Sequence, residues 1–204
     1  MKTLTQAVAL MLALSGCRGE SDEVEFTAAP ASQPEARPTQ LNGISEEKSN
    51  ISIVFVEGGK ERELYGEPRD NGKRKYTLDD GPVLFEIKPG DDQGFKLRNP
   101  DGSLRWKVKV YPDKIKISDN EQNERPHLLR RHGMTRASVV TADGREPGEV
   151  RMGAQTSDVV TTDGRVIFSR RGPSPSAGMG VLLIDSIPAR ERYILAAELM
   201  SRGQ

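Results

Sequence analysis

The chain has 204 residues with 30 basic and 30 acidic side chains, so its net charge is zero, and its mean hydropathy is −0.60. That balance excludes a strongly cationic nucleic-acid binder. A single cysteine, Cys17, excludes an intramolecular disulfide, so a disulfide-stapled fold is ruled out as well.

The first element is an apolar run, Ala7 to Leu14, preceded by Lys2 and the amino terminus. Crossing a bilayer takes about 20 apolar residues, so the run is too short to span one. It has the size of the hydrophobic part of a secretory signal. The residues that close it, Leu14-Ser15-Gly16-Cys17, resemble the lipobox of bacterial lipoproteins. The resemblance implies a signal peptide over 1–16, cleavage between Gly16 and Cys17, and a diacylglyceryl group on the Cys17 thiol. Two or more acyl chains give stable anchoring, at about 0.8 kcal/mol per buried CH₂. In the same family an Asp after the cysteine favours the inner membrane. Arg18 stands there, so the implied location is the bacterial cell envelope, at the periplasmic face of the outer membrane.

Residues 17–50 read as a tether. Pro30, Pro34 and Pro38 interrupt a Ser-, Glu-, Ala- and Thr-rich stretch whose few large apolar residues are Val24, Phe26, Leu41 and Ile44. Such a segment buries too little surface to offset its conformational entropy and is expected to be disordered.

Residues 51–204 have the length of one domain and carry 26 basic against 23 acidic residues. Turn signals recur at Asp80-Gly81, Asp101-Gly102, Asp143-Gly144 and Asp163-Gly164, with Asp119-Asn120 between. The spacing of about 20 residues or its double predicts successive hairpins. In 104–111 apolar Leu104, Trp106, Val108 and Val110 alternate with Arg105, Lys107, Lys109 and Tyr111, the period of a half-buried strand. Further strands are expected at 51–56, 74–78, 83–88, 137–141, 158–161 and 165–169, and Trp106 is expected in the core.

The stretch NERPHLLRRHGMTR (123–136) holds both histidines. Arg125, His127, Arg130, Arg131, His132 and Arg136 are the candidate anion-binding residues, because guanidinium groups clamp phosphate or carboxylate with paired, charge-assisted bonds. A solvated loop, or a strand with a basic outer face, accounts for the same residues. Two histidines five apart make a poor metal pair, so neither a metal nor any other cofactor is expected.

Near the end, GMGVLLID (178–185) starts like a dinucleotide fingerprint but lacks its third glycine and reads as packing. Residues 186–202 switch to a helical period between Pro188 and Gly203. Apolar side chains cover most of that helix and leave Glu191, Glu198 and Arg202 on one strip, so it should be buried. Hairpins followed by an apolar C-terminal helix are similar to the tubby C-terminal-like superfamily, through FKLRNPDGSLRWKVK (95–109) and IPARERYILAAELM (187–200). That resemblance implies a closed antiparallel barrel around the helix. In such a family fold does not set activity.

The fold expected is therefore mainly β: an antiparallel meander or closed barrel of hairpins with a buried hydrophobic C-terminal helix. No protease, hydrolase, phosphate-loop or Cys-x-x-Cys motif occurs. The expected function is a non-enzymatic envelope lipoprotein, binding or structural. Its expected partners are the bilayer through acylated Cys17, envelope proteins or anionic lipid head groups, and no nucleic acid. The alternatives are an anion-binding module using 125–136, and an envelope hydrolase using His127 or His132 with a carboxylate.

Overall fold

The computed structural model describes residues 50–91, 93–172 and 175–204. The signal peptide, Cys17 and the tether, expected over 1–50, lie outside the described residues except for Asn50.

Twelve strands follow one another, each antiparallel to its neighbours in sequence order. They are β1 (Ile51–Glu57), β2 (Lys60–Pro68), β3 (Arg74–Leu78), β4 (Val83–Pro89), β5 (Phe95–Arg98) and β6 (Leu104–Val110). The second half holds β7 (Lys114–Ser118), β8 (His127–His132), β9 (Arg136–Val140), β10 (Gly148–Met152), β11 (Thr156–Thr161) and β12 (Val166–Arg171). A 3₁₀ segment (Ala177–Leu183) and one helix, α1 (Ala189–Ser201), complete the fold.

The hairpins form because their turn residues accept the backbone each turn demands. Asn99–Ser103, Thr141–Arg145 and Thr161–Arg165 close alike. In each, the glycine N–H donates to the carbonyl three residues back, and the first and fifth residues are bonded. Gly102, Gly144 and Gly164 sit at φ 86°, 84° and 85°, a left-handed position that costs glycine least. The turn at 78–81 is built differently. There Asp79 and Asp80 take the positive φ values, 48° and 57°, and Gly81 donates to Leu78 at 2.8 Å.

Period-2 alternation then sorts the side chains. Ile53, Leu64, Tyr76, Ile87, Leu97, Val108, Ile115, Leu129, Val139, Val150 and Val159 point inward and are fully buried or nearly so. Against this inner face lie the 3₁₀ segment, touching β8 to β11, and α1, touching β1. Register shifts at Tyr76/Thr77, Leu97/Arg98 and Val159/Val160 add local twist to the sheet.

The meander and the buried helix agree with the sequence reading, but the sheet is not closed. Pairing runs from β1 to β12, and no ladder joins those two strands among the described residues. Gly178 and Gly180 are packing positions: a Cβ on Gly180 would stand 2.9 Å from Val139 Cγ2, and one on Gly178 would collide with the Leu199 side chain.

The polar strip of α1 is buried as well. Glu198 is 0% exposed and accepts from Arg74 Nη1 at 2.6 Å and Tyr76 Oη at 2.9 Å on one oxygen. Its other oxygen accepts from Arg202 Nε and Nη2 at 3.3 Å. About two turns earlier, Glu191 accepts from Arg105 Nη2 at 2.6 Å and from the indole N–H of Trp106. Desolvating a carboxylate is costly unless it is paired, and each of these two is held by two or three donors.

Candidate functional site

The inward half of each strand is spent on the core, so any recognition chemistry must use the outward half, the turns, or the ends of the sheet. On β5 to β8 the outward positions are Lys96 and Arg98, then Lys107 and Lys109, then Lys114 and Lys116, then Leu128, Arg130 and His132. Arg105, at the register shift of β6, instead reaches Glu191 of α1. Register sets like charges directly opposite one another: Lys109 against Lys116, and Lys114 against Arg130. Opposed side chains on neighbouring strands have Cβ atoms about 5 Å apart, and like charges there are destabilising.

Nearby anions answer only part of this charge. Asp113 pairs with Lys114 at 3.0 Å, and that hydrogen bond holds its carboxyl below the usual range. Lys109, Lys116 and Arg130 have no ion pair among the described residues. Two of the ammonium groups lie over the Tyr111 ring, Lys114 Nζ at 5.7 Å and Lys116 Nζ at 5.6 Å from its centroid. A shallow cavity of about 590 Å³ has Pro126 and Leu128 beside Lys114, Lys116, Arg130 and His132. It offers an apolar surface bordered by several cations and by one carboxylate, Asp113, which is itself paired with Lys114; the cationic excess suits an anionic group carried on an apolar body.

A second arrangement lies on the same face. Glu121, from the β7–β8 loop, receives Lys96 Nζ at 2.8 Å, Arg98 Nη2 at 2.9 Å and Lys107 Nζ at 3.4 Å. The Lys96 hydrogen bond, helped by Lys107, holds the Glu121 carboxyl below its ordinary range against a small opposing effect of burial.

The six candidate residues from 125–136 are not brought to one place. Arg130 and His132 face outward on β8, beside Lys114 and Lys116. His132 Nε2 is 2.8 Å from Ser138 Oγ. Arg131 lines the same cavity as Arg130 and His132 and also ties down the end of the described chain, donating to Gln204 Oε1 at 2.7 Å and to the Pro112 carbonyl at 3.3 Å. Arg136 pairs with Glu149 at 2.8 Å. Arg125 and His127 belong to a cavity of about 370 Å³ at one end of the sheet, with Trp106, Asp119, Asn120 and Glu124.

His127 is 6% exposed and lies against Trp106, ring centroids 6.1 Å apart. Burial pushes its imidazole below the ordinary range, with Asp119 and Asp143 opposing the shift. Its Nδ1 accepts the Ala142 N–H at 3.0 Å, so the neutral ring carries its proton on Nε2, 3.5 Å from Ser186 Oγ. A base for that hydroxyl would need the opposite tautomer, with Nδ1–H held by a carboxylate. Among the described residues no group of three or more His, Cys, Asp or Glu could hold a metal ion. No helix among them is long and apolar enough to cross a membrane.

Lys96, Lys107, Lys109, Lys114 and Lys116 were absent from the sequence-derived candidates. Lys107 and Lys109 read there as the polar half of an alternating strand, and the strands that carry Lys96, Lys114 and Lys116 were not among those expected. Only the register, which sets lysine opposite lysine, distinguishes them from an ordinary solvated face. No family model, curated protein or solved structure matches the chain.

Proposed function

We propose that this chain is a bacterial envelope lipoprotein, anchored in the bilayer by acyl groups on Cys17, whose β-domain binds anionic head groups through the outer face of β6 to β8. The observation that carries the binding role is the pair of adjacent like-charged registers, Lys109–Lys116 and Lys114–Arg130. Three of those four cations have no carboxylate partner among the described residues. Folding places repelling charges side by side there, and a bound anion relieves the repulsion. The role is binding rather than catalysis. His127 turns the wrong nitrogen to Ser186, and the exposed His132, 2.8 Å from Ser138 Oγ, has no carboxylate bonded to its ring among the described residues, which leaves the hydrolase reading without support. Leu14-Ser15-Gly16-Cys17 supports the anchor, and Arg18 supports an outer-membrane location.

Two measurements test this reading. An acyl-chain probe fed to cells should label the native chain and leave Cys17→Ala unlabelled; equal labelling removes the anchor. The Cys17→Ala chain should sediment with phosphatidylglycerol vesicles more than with phosphatidylcholine vesicles. Any residual pull of residues 7–14 on the bilayer is common to both and cancels. Lys109→Glu with Lys116→Glu should abolish most of the difference, and the native difference should shrink as salt rises. Equal sedimentation with both vesicle types overturns the anion-binding role.

A further inference from the structure

The Glu121 cluster is an anion site seen with an occupant. Lys96, Arg98 and Lys107 stand on adjacent strands, with Lys96 directly opposite Lys107. Their side chains, 31%, 20% and 17% exposed, reach the two oxygens of one carboxylate, and Lys107 Nζ donates at shorter range to the Glu121 backbone carbonyl. Lysine and arginine donors arranged around paired oxygens are what recognise a carboxylate or phosphate, and partial burial strengthens the attraction over that in open water. Glu121 also satisfies the cluster incompletely, because one negative charge faces three positive ones.

A phosphomonoester carries about −1.5 to −2 at neutral pH and three acceptor oxygens. It therefore matches three cations better than Glu121 does. Glu121 sits on an exposed loop, so it can leave without disturbing the core.

We infer that Lys96, Arg98 and Lys107 form a binding site for a phosphomonoester group, which Glu121 fills as an internal stand-in until the ligand displaces it. The inference rests on the reading that this face binds anions, and it adds a ligand class and a built-in competitor. A carboxylate that fills the site about four-fifths of the time weakens the apparent affinity about fivefold.

The test compares phosphatidate vesicles with phosphatidylglycerol vesicles adjusted to the same zeta potential, so that only the monoester differs, using the Cys17→Ala chain. Phosphatidate vesicles should bind more tightly. Glu121→Gln should raise their affinity about fivefold while leaving phosphatidylglycerol affinity within about twofold. Lys107→Ala should remove the preference. Titrating inorganic phosphate into the Glu121→Gln chain separates the sources of the group. Binding of free phosphate without a phosphatidate preference assigns the site to a soluble ligand; a phosphatidate preference assigns it to a lipid. The inference is overturned if the two vesicle types bind alike and Glu121→Gln tightens neither them nor inorganic phosphate. In that event phosphatidylglycerol binding above phosphatidylcholine leaves the broader reading standing, and its absence removes both.

Discussion

Replacing Glu198 by Gln should be among the most damaging conservative substitutions in the domain. The side chain is 0% exposed and bonded to Arg74, Tyr76 and Arg202. An amide of nearly the same shape would remove the charge and leave the guanidinium groups of Arg74 and Arg202, 4% and 8% exposed, without it. Removing one partner of a buried ion pair costs about 3–5 kcal/mol. Against a total of about 5–15 kcal/mol that is a large fraction. For about 150 residues each kcal/mol moves the midpoint about 2–4 °C, so Tm should fall by about 6–20 °C. Urea melts followed by circular dichroism and by Trp106 fluorescence give the free energy directly. A quadruple variant, Arg74→Met, Tyr76→Phe, Glu198→Leu and Arg202→Met, removes the charges of Arg74, Glu198 and Arg202 together and should lie closer to the native stability than Glu198→Gln does. A Glu198→Gln loss below about 1 kcal/mol would refute the reasoning, because it would mean that water already reaches the cluster.

Tyr76 is wholly buried, and burial, followed by the neighbouring Glu198 charge, raises its phenol well above its ordinary value of 10.0. The folded state therefore holds that proton more tightly than the unfolded state, so stability is full below about pH 10 and falls as pH rises beyond it. Phenolate absorbance should show Tyr76 ionising only as the domain unfolds, and Tyr76→Phe should remove that component. His127 shifts the other way: its contribution is present above about pH 6.5 and is lost as pH falls through its depressed value. Nitrogen-15 spectra should show its ring neutral near pH 7 with the proton on Nε2; a proton on Nδ1 would undo the tautomer derived from Ala142. Gly178→Ala should cost about 1–3 kcal/mol with an unchanged denaturant slope, because the added methyl collides with Leu199; a neutral result would show that α1 shifts freely.

Much of the fold was legible because local chemistry and tertiary structure agree. The Asp-Gly pairs at 101–102, 143–144 and 163–164 mark hairpin turns, and β1, β3, β4, β6, β9, β11 and β12 fall within a few residues of their expected ranges. Strand β2 was not anticipated. Its sequence KERELYGEP has few apolar residues, and only Leu64, Gly66 and their neighbours across the ladder show which side is inner. The Gly58-Gly59 pair before it, both at positive φ, was the available signal. GMGVLL forms a 3₁₀ segment because Gly178 and Gly180 must let it pass close to α1 and β9. The helix was legible as buried, with Arg202 one turn from Glu198, but the other partners of Glu191 and Glu198 are Arg105, Trp106, Arg74 and Tyr76. Those residues lie more than 80 positions away, and no local pattern announces them. The outer basic face was hidden for a related reason. Alternating lysines look alike whether a strand places them opposite acid or opposite another lysine, and register is a property of pairs of strands.

The order of the elements bears on how the chain is made. Every sheet pairing joins neighbours in sequence, so on the proposed export route each hairpin can close as soon as its second strand has crossed the membrane. The pieces that cover the inner face, the 3₁₀ segment and α1, come after all twelve strands. Until they arrive the growing sheet shows Ile53, Leu64, Leu97, Ile115, Leu129 and Val150 to solvent, with nothing to lay against them. Chains truncated before residue 177 should be sticky, protease-sensitive and dependent on chaperones, although their strands already pair. The last seventh or so of the polypeptide, from Ala177 on, turns a self-associating ribbon into a folded molecule.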